Sequence, residues 1–207
     1  NSTSNKTMLK NLFFTIGDTL YPYLIADNEK FLREIAFIQD ARIVASIDPA
    51  DTNGVVMNIQ WKDIFPFGGS ANIGSIQSFN AELNHNNLLG LGDKFQINAL
   101  YDLDRRPLAA TGFEYIKRNL LGTFLNVTIG YDKIKPAFNS GRREEYARYI
   151  KGDLPLVSPY HSFTGGFEFG KYESNNTYTT RLPYQQVYKY AYGIMDGWMG
   201  INIGAGL

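Results

Sequence analysis

With 207 residues, 20 Lys plus Arg against 20 Asp plus Glu and no cysteine, the chain has room for one or two domains and a formal net charge of zero. Disulfides and thiolate chemistry are excluded, and neutrality without a Lys/Arg cluster along a groove argues against a nucleic-acid partner. No apolar run approaches the roughly 18–20 residues of a membrane helix, which leaves a soluble globular protein and a membrane β-barrel both open.

The first ten residues, NSTSNKTMLK, hold no signal-peptide core; an exported protein would have lost its signal or carry it upstream. Residues 1 to about 66 read as mixed α/β. TMLKNLFF is a short amphipathic segment broken by the Gly and Pro of TIGDTLYP. NEKFLREIAF predicts a helix with Asn28 as its cap and Phe31, Leu32 and Ile35 on one face. ARIVASID and VVMNIQWKD predict two strands joined by the turn ADTNG, with Val55, Met57, Ile59 and Trp61 on one side. A helix followed by a hairpin is a small α+β unit with its own core. Phe65–Ser75 is glycine-rich, lacks the Lys-Ser/Thr of a phosphate loop, and reads as a linker hinged at Gly68 and Gly69.

From Ser75 onward strict alternation takes over. Phe79, Ala81 and Leu83 alternate with polar residues, as do Phe95, Ile97, Ala99, Tyr101 and Leu103, then Leu125, Val127, Ile129 and Tyr131. Phe163, Phe167 and Phe169 face away from Thr164, Gly166 and Glu168, and Tyr188, Tyr190 and Tyr192 belong to a later strand. Asn-Leu-Leu-Gly occurs at Asn87–Gly90 and again at Asn119–Gly122, thirty-two residues on, a spacing that suits two strands and two turns of an antiparallel meander. A β-sandwich accounts for such alternation. A transmembrane barrel accounts for it as well, and for the ten-residue segments, the polar opposite face, and Tyr101, Tyr131, Tyr172 and Tyr178 near segment ends as an aromatic girdle.

Catalytic chemistry finds little footing. His85 reads as a solvated rim residue and His161 as a turn residue, with no metal-ligand spacing around either. No Ser-His-Asp arrangement with an elbow motif occurs, and Gly141–Tyr146, GRREEY, reads as a charged surface turn. The expectation is a protein that is not an enzyme and needs no cofactor.

Gly17-Asp18, Leu32-Arg33, Phe37-Ile38-Gln39-Asp40-Ala41-Arg42-Ile43 and Val55 to Asp63 together resemble the last polypeptide-transport-associated (POTRA) domain of the outer-membrane assembly and translocation barrel superfamily. GDLPLVSPYHSFTGGFEFG and YAYGIMDGWMGINIGAGL resemble later strands of its barrel. The resemblance implies residues 1–67 as a POTRA-like domain in the periplasm, short of its first strand, and 68–207 as the first part, about seven strands, of a barrel of about sixteen in a bacterial-type outer membrane. It implies that Asn87, Gly90, Asn119 and Gly122 mark outside rim turns. It also implies a client-pairing gate strand at Ser75, Gln77, Phe79, Ala81 and Leu83, recognising clients through backbone hydrogen bonds. Seven strands cannot close, so the expectation is a piece of a larger protein.

By this resemblance the function is assembly or insertion of outer-membrane barrels, with outer-membrane lipid, client barrels or secreted proteins, and periplasmic or lipoprotein accessory subunits as partners. A dedicated secretion pore of the same superfamily, a membrane anchor for an upstream hydrolase, and a soluble β-rich adhesin or lectin are the alternatives.

Overall fold

A computed structural model describes residues 2–49, 51, 54–138, 140–175, 177–178 and 189–204. Helices α1 (Asn5–Lys10) and α2 (Pro22–Glu34) precede the hairpin β1 (Ile38–Ile47) and β2 (Val55–Asp63). Eight further strands follow: β3 (Phe67–Ser75), β4 (Ser78–Leu88), β5 (Asp93–Asp102), β6 (Ala109–Lys117), β7 (Asn126–Pro136), β8 (Arg143–Leu154), β9 (Phe163–Ser174) and β10 (Tyr190–Ile201). They pair in sequence order as one antiparallel meander with β3 and β10 at its edges, and the sheet is not closed among the described residues. Tyr188, read above as part of a late strand, lies outside those residues.

The helix–hairpin unit has its own core. Met8, Leu32, Phe37, Ile38, Ala41 and Ile43 are buried together, with Ile25, Phe31, Ile35, Met57, Ile59 and Trp61 packed around them. Met57, Ile59 and Trp61 alternate along β2, so period-2 patterning put them on the core side as expected. Helix α2 begins six residues before the expected cap: Pro22 occupies its first turn, where a missing N–H is harmless. Asn28 is therefore not a cap but a fully buried mid-helix residue. Its side chain accepts from the Phe13 amide at 3.0 Å and donates to the Asn11 carbonyl at 3.0 Å, binding the non-helical stretch after α1 to α2. Arg33 reaches Glu29 at 2.6 Å and Asp40 at 3.0 Å on the surface.

Residues 65–75 are the first departure from the expected organisation. Gly68 and Gly69 are not a hinge; they sit in β3, opposite Asn84 and Leu83 of β4. A Cβ on Gly68 would lie 2.7 Å from the Asn84 side-chain oxygen, so glycine there permits close cross-strand approach. The pair looked like a chain breaker, yet it belongs to a strand whose other positions, Phe67, Ala71 and Ile73, continue the apolar side of β4. Among the described residues the sheet consequently has eight strands rather than about seven, and the direction of every later strand relative to the helix–hairpin unit is reversed.

Replacing Asn28 with Ala leaves the Phe13 amide and the Asn11 carbonyl without their partner, a loss of about 2 kcal/mol. In a Trp198→Phe background Trp61 is the remaining tryptophan. The urea midpoint of its fluorescence should fall in N28A, and an unchanged midpoint would contradict the buried-bridge role.

Candidate functional site

The register places side chains of one parity on one face across all eight strands. Ile73, Phe79 and Tyr101 form one cross-strand row, and Leu83, Ile97 and Phe113 form another. Ile129, Ile150, Phe169 and Met195 continue the band to the far edge. Most of these are exposed, Leu83 at 70% and Met195 at 84%. The opposite face carries Asn84, Gln96 and Glu114 in register, then Tyr149, Lys151, Glu168 and Tyr172. Its charges are paired: Tyr149 donates to Glu114 at 2.8 Å, Lys151 meets Glu168 at 3.0 Å, and Tyr172 donates to Glu168 at 2.5 Å. An apolar outside with a polar, internally bonded inside is the arrangement of a membrane barrel wall rather than of a sandwich, whose buried face would be the apolar one.

The girdle expectation divides. Tyr101 and Tyr131 stand on the apolar face, whereas Tyr172 is buried on the polar face, stacked on Tyr192 at 5.0 Å. Three residues separate Phe169 from Tyr172, an odd number, which sends them to opposite faces. Tyr178 lies beyond β9 and donates to Asp102 at 3.2 Å; burial, then Asp102, push its hydroxyl up to about 12. Gly141–Tyr146 is likewise not a solvated turn in full. Glu144 and Glu145 are buried, the first accepting from Ser140 at 2.7 Å and the second from Tyr190 at 2.8 Å.

The expected gate residues fall on two strands and a turn. Ser75 ends β3, Gln77 is in the β3–β4 turn, and Phe79, Ala81 and Leu83 are in β4, which is paired on both sides. Among the described residues β3 and β10 each lack a second neighbour, and β3 is the one at the start of the meander. The free backbone edge at the start of the meander is therefore Phe67–Ser75, one strand earlier than expected.

The repeated Asn-Leu-Leu-Gly turns do reach one rim together, but it is the rim on which the helix–hairpin unit sits. They also share one conformation. Leu89, Gly90 and Gly92 have positive φ, and so do Leu121, Gly122 and Phe124 at the equivalent places. Asn87 Oδ1 accepts from the Gly92 amide at 2.8 Å, and Asn119 Oδ1 accepts from the Phe124 amide at 2.8 Å. Each asparagine thus closes its own turn with its oxygen and holds the N-terminal segment with its nitrogen. Asn87 Nδ2 donates to Thr3 Oγ1 at 2.8 Å, and Asn119 Nδ2 to the Lys10 carbonyl at 2.7 Å and to Asn11 Oδ1 at 2.9 Å. The Gly90 carbonyl takes the Ser4 amide at 3.0 Å and the Thr7 hydroxyl at 2.9 Å. Thr3 completes the latch by donating to Asp63 at the end of β2 at 2.6 and 2.7 Å.

Two further clusters at this rim carry no motif that would announce them. Asp93, fully buried, accepts from Tyr115 at 2.7 Å and pairs with Lys117 at 2.8 Å. Arg118 donates to the Asn86 and Gly92 carbonyls at 3.0 and 2.8 Å; burial holds its guanidinium below the ordinary range, and Asp93 opposes that. His161 packs edge-on against Phe124 at 5.0 Å and Phe13 at 5.7 Å, with its Nδ1 buried and lacking a partner among the described residues. Burial lowers its pKa from 6.5. His85, on the apolar side of β4, stacks edge-on with Phe67 at 4.6 Å and accepts from the Asn87 amide at 3.3 Å. Among the described residues no three His, Asp or Glu side chains are grouped to hold a metal ion.

No protein-family model matches the chain, and no curated protein matches it. Solved structures do, among them one described as the crystal structure of BamA from Haemophilus ducreyi lacking POTRA domains 1-3. The TM-score is 0.53 at 14% identity, over 96% of this chain and 41% of that chain. The chain therefore spans less than half of that BamA chain. At this identity the likeness is one of fold: a largely antiparallel sheet like that of an outer-membrane barrel protein, here open.

Asn119→Asp keeps the oxygen that closes its turn and loses the nitrogen that holds Lys10 and Asn11. Exchange protection of the α1 amides should fall in this variant, and unchanged protection would refute the latch. A second expectation concerns pH. A His161 pKa lower when docked than the free value near 6.5 means docking is at full strength above that value. It weakens as pH falls from there through the lowered docked pKa. Protection of the α1 amides, taken relative to their intrinsic exchange rate at each pH, should fall on acidification, and His161→Phe should flatten that fall.

Proposed function

We propose that the chain is part of an outer-membrane factor that assembles or inserts β-barrel proteins, with the helix–hairpin unit acting as a POTRA-like domain on the periplasmic side and β3 as the strand offered to clients. The observation that supports this most directly is an open meander with a continuous apolar face whose first strand has no second neighbour among the described residues. In lipid each unsatisfied backbone group costs several kcal/mol, so such an edge requires a pairing strand from the rest of a barrel or from a client. Backbone pairing tolerates diverse client sequences, because side chains enter only through their alternation. The fold likeness to BamA runs over 96% of the chain, which lends weight to reading the helix–hairpin unit and the sheet as parts of one such protein.

Under this reading each rim is given a side. With the helix–hairpin unit in the periplasm, the turns at 89–92, 118–125 and 155–162 are periplasmic, and the hairpins at 103–108 and 137–142 face outward. The gate moves from the Phe79–Leu83 stretch to Phe67–Ser75. No nucleotide enters the scheme, since client folding and burial of its apolar face supply the driving force.

Two neighbouring residues separate the membrane reading from a soluble one. Ile97 is on the apolar face and Gln96 on the polar face. In the parent protein Ile97→Arg should lower folding into vesicles by about 2–4 kcal/mol while Gln96→Arg is tolerated; equal effects would argue against lipid on the apolar side. For the assembly role, cysteines along Gly69–Ile73 should cross-link to client strands in cells. Depletion of the parent should then reduce unrelated outer-membrane barrels together. Loss of one secreted protein alone would instead indicate a dedicated pore.

A further inference from the structure

Between α1, the end of α2 and the rim turns lies a cavity of about 260 Å³. Its floor is apolar, with Phe31, Phe37, Leu91, Phe124, Pro155 and Val157, and its wall is cationic, with Lys6, Lys10, Lys117 and Arg118. The chain as a whole has no net charge, so four cations on one small cavity are a local excess. Only part of that charge is used internally. Lys117 pairs with Asp93 at 2.8 Å, and the Arg118 guanidinium donates to two carbonyls. Lys6 and Lys10, four residues apart on α1 and so on one side of it, make no ion pair among the described residues.

Position narrows the ligand. Lys117 shares the apolar face of β6 with Phe113 and Tyr115, two and four residues back along the strand. The cationic wall thus begins where the apolar band stops at the docked rim, the level at which headgroups would lie if the band is embedded in lipid. We propose that this cavity binds the phosphate headgroup of an acidic phospholipid, with Lys6 and Lys10 as the discriminating cations and an acyl chain running from the apolar floor onto the band. The proposal rests on the membrane reading above. A phosphodiester supplies the negative charge that the two lysines lack, and the aromatic and aliphatic floor accommodates the glycerol and the start of a chain. A peptide with an acidic terminus would satisfy the charge, but the continuity with the lipid-facing band favours the lipid. Bound there, the lipid would bridge α1 and the β6 rim, adding to the asparagine latch.

The test uses the parent protein in nanodiscs of phosphatidylcholine with a minority of phosphatidylglycerol, whose phosphodiester carries the negative charge. Native mass spectrometry counts the lipids retained after detergent release. The wild type should retain phosphatidylglycerol in preference, Lys6→Gln/Lys10→Gln should lose about tenfold of that preference, and the remote pair Lys30→Gln/Lys62→Gln should keep it. Incorporation without enrichment, or enrichment unchanged in the Lys6/Lys10 variant, overturns the site and leaves the membrane reading standing. Failure of the wild type to enter any bilayer overturns both. Displacement of the retained lipid by an added acidic peptide, from the wild type and from the Lys30/Lys62 variant alike, would reassign the cavity to a polypeptide.

Discussion

Backbone pairing governs this structure. A meander with an apolar outer face can satisfy its peptide groups only through neighbouring strands, since nothing apolar can replace a missing N–H or C=O partner. Every internal strand from β4 to β9 is paired on both flanks, and the side chains then follow from the pleat: one parity gives the Ile97–Phe113 face, the other the Gln96–Glu114 face. The polar face is not simply wet. Its carboxylates are held by tyrosine hydroxyls and lysines, so Glu114, Glu145 and Glu168 each have a bonded partner. These carboxylates are thereby hydrogen-bonded within the sheet, and Glu168 is also paired with a cation.

The second organising feature is the use of one residue type for two jobs at the rim. An asparagine side chain has an acceptor and two donors on one planar group. At Asn87 and Asn119 the acceptor closes a turn of repeated left-handed geometry and the donors hold the N-terminal segment. Neither aspartate nor leucine could do both: the first lacks the donors and the second lacks everything. The repeat in the sequence is thus the trace of a repeated docking element, which accounts for the Asn and the positive-φ Gly of both copies.

Much of this was legible from period-2 alternation. The faces of β4, β5, β7 and β9, the core side of β2 and the shared rim of the repeated turns followed from residue spacing, because side-chain parity is a local property. What escaped depends on partners distant in the chain. Gly68-Gly69 carried the signature of a break, and only their pairing with Asn84 and Leu83 across the strand pair shows that they belong to a strand. Missing that strand inverted the rim assignment, since parity of strand count, unlike parity of side chains, is not local. Asn28 had the composition of a cap, yet its partners are the backbone of residues 11 and 13. The Asp93, Lys117 and Arg118 cluster has no motif spacing, although a buried acid opening a strand, followed some 24 residues later by Lys-Arg closing the next, is a pattern that a hairpin brings together.

These features converge on the connection between the unit and the sheet. Asp63 ends β2 and Phe67 begins β3, with only Ile64, Phe65 and Pro66 between them. Both ends of this link are tied: the Ile64 amide to the Phe37 carbonyl at 3.0 Å, and the Pro66 carbonyl to the Asn86 amide at 2.8 Å. Asp63 is itself clamped by Thr3, which Asn87 also holds. A displacement of the helix–hairpin unit from the rim must therefore act on the start of β3 within a span too short to absorb it, about 10 Å if fully extended. β3, one of the two strands with a free edge among the described residues, is thus tied directly to the docked unit. Whatever holds α1 against the turns also sets the position of that edge.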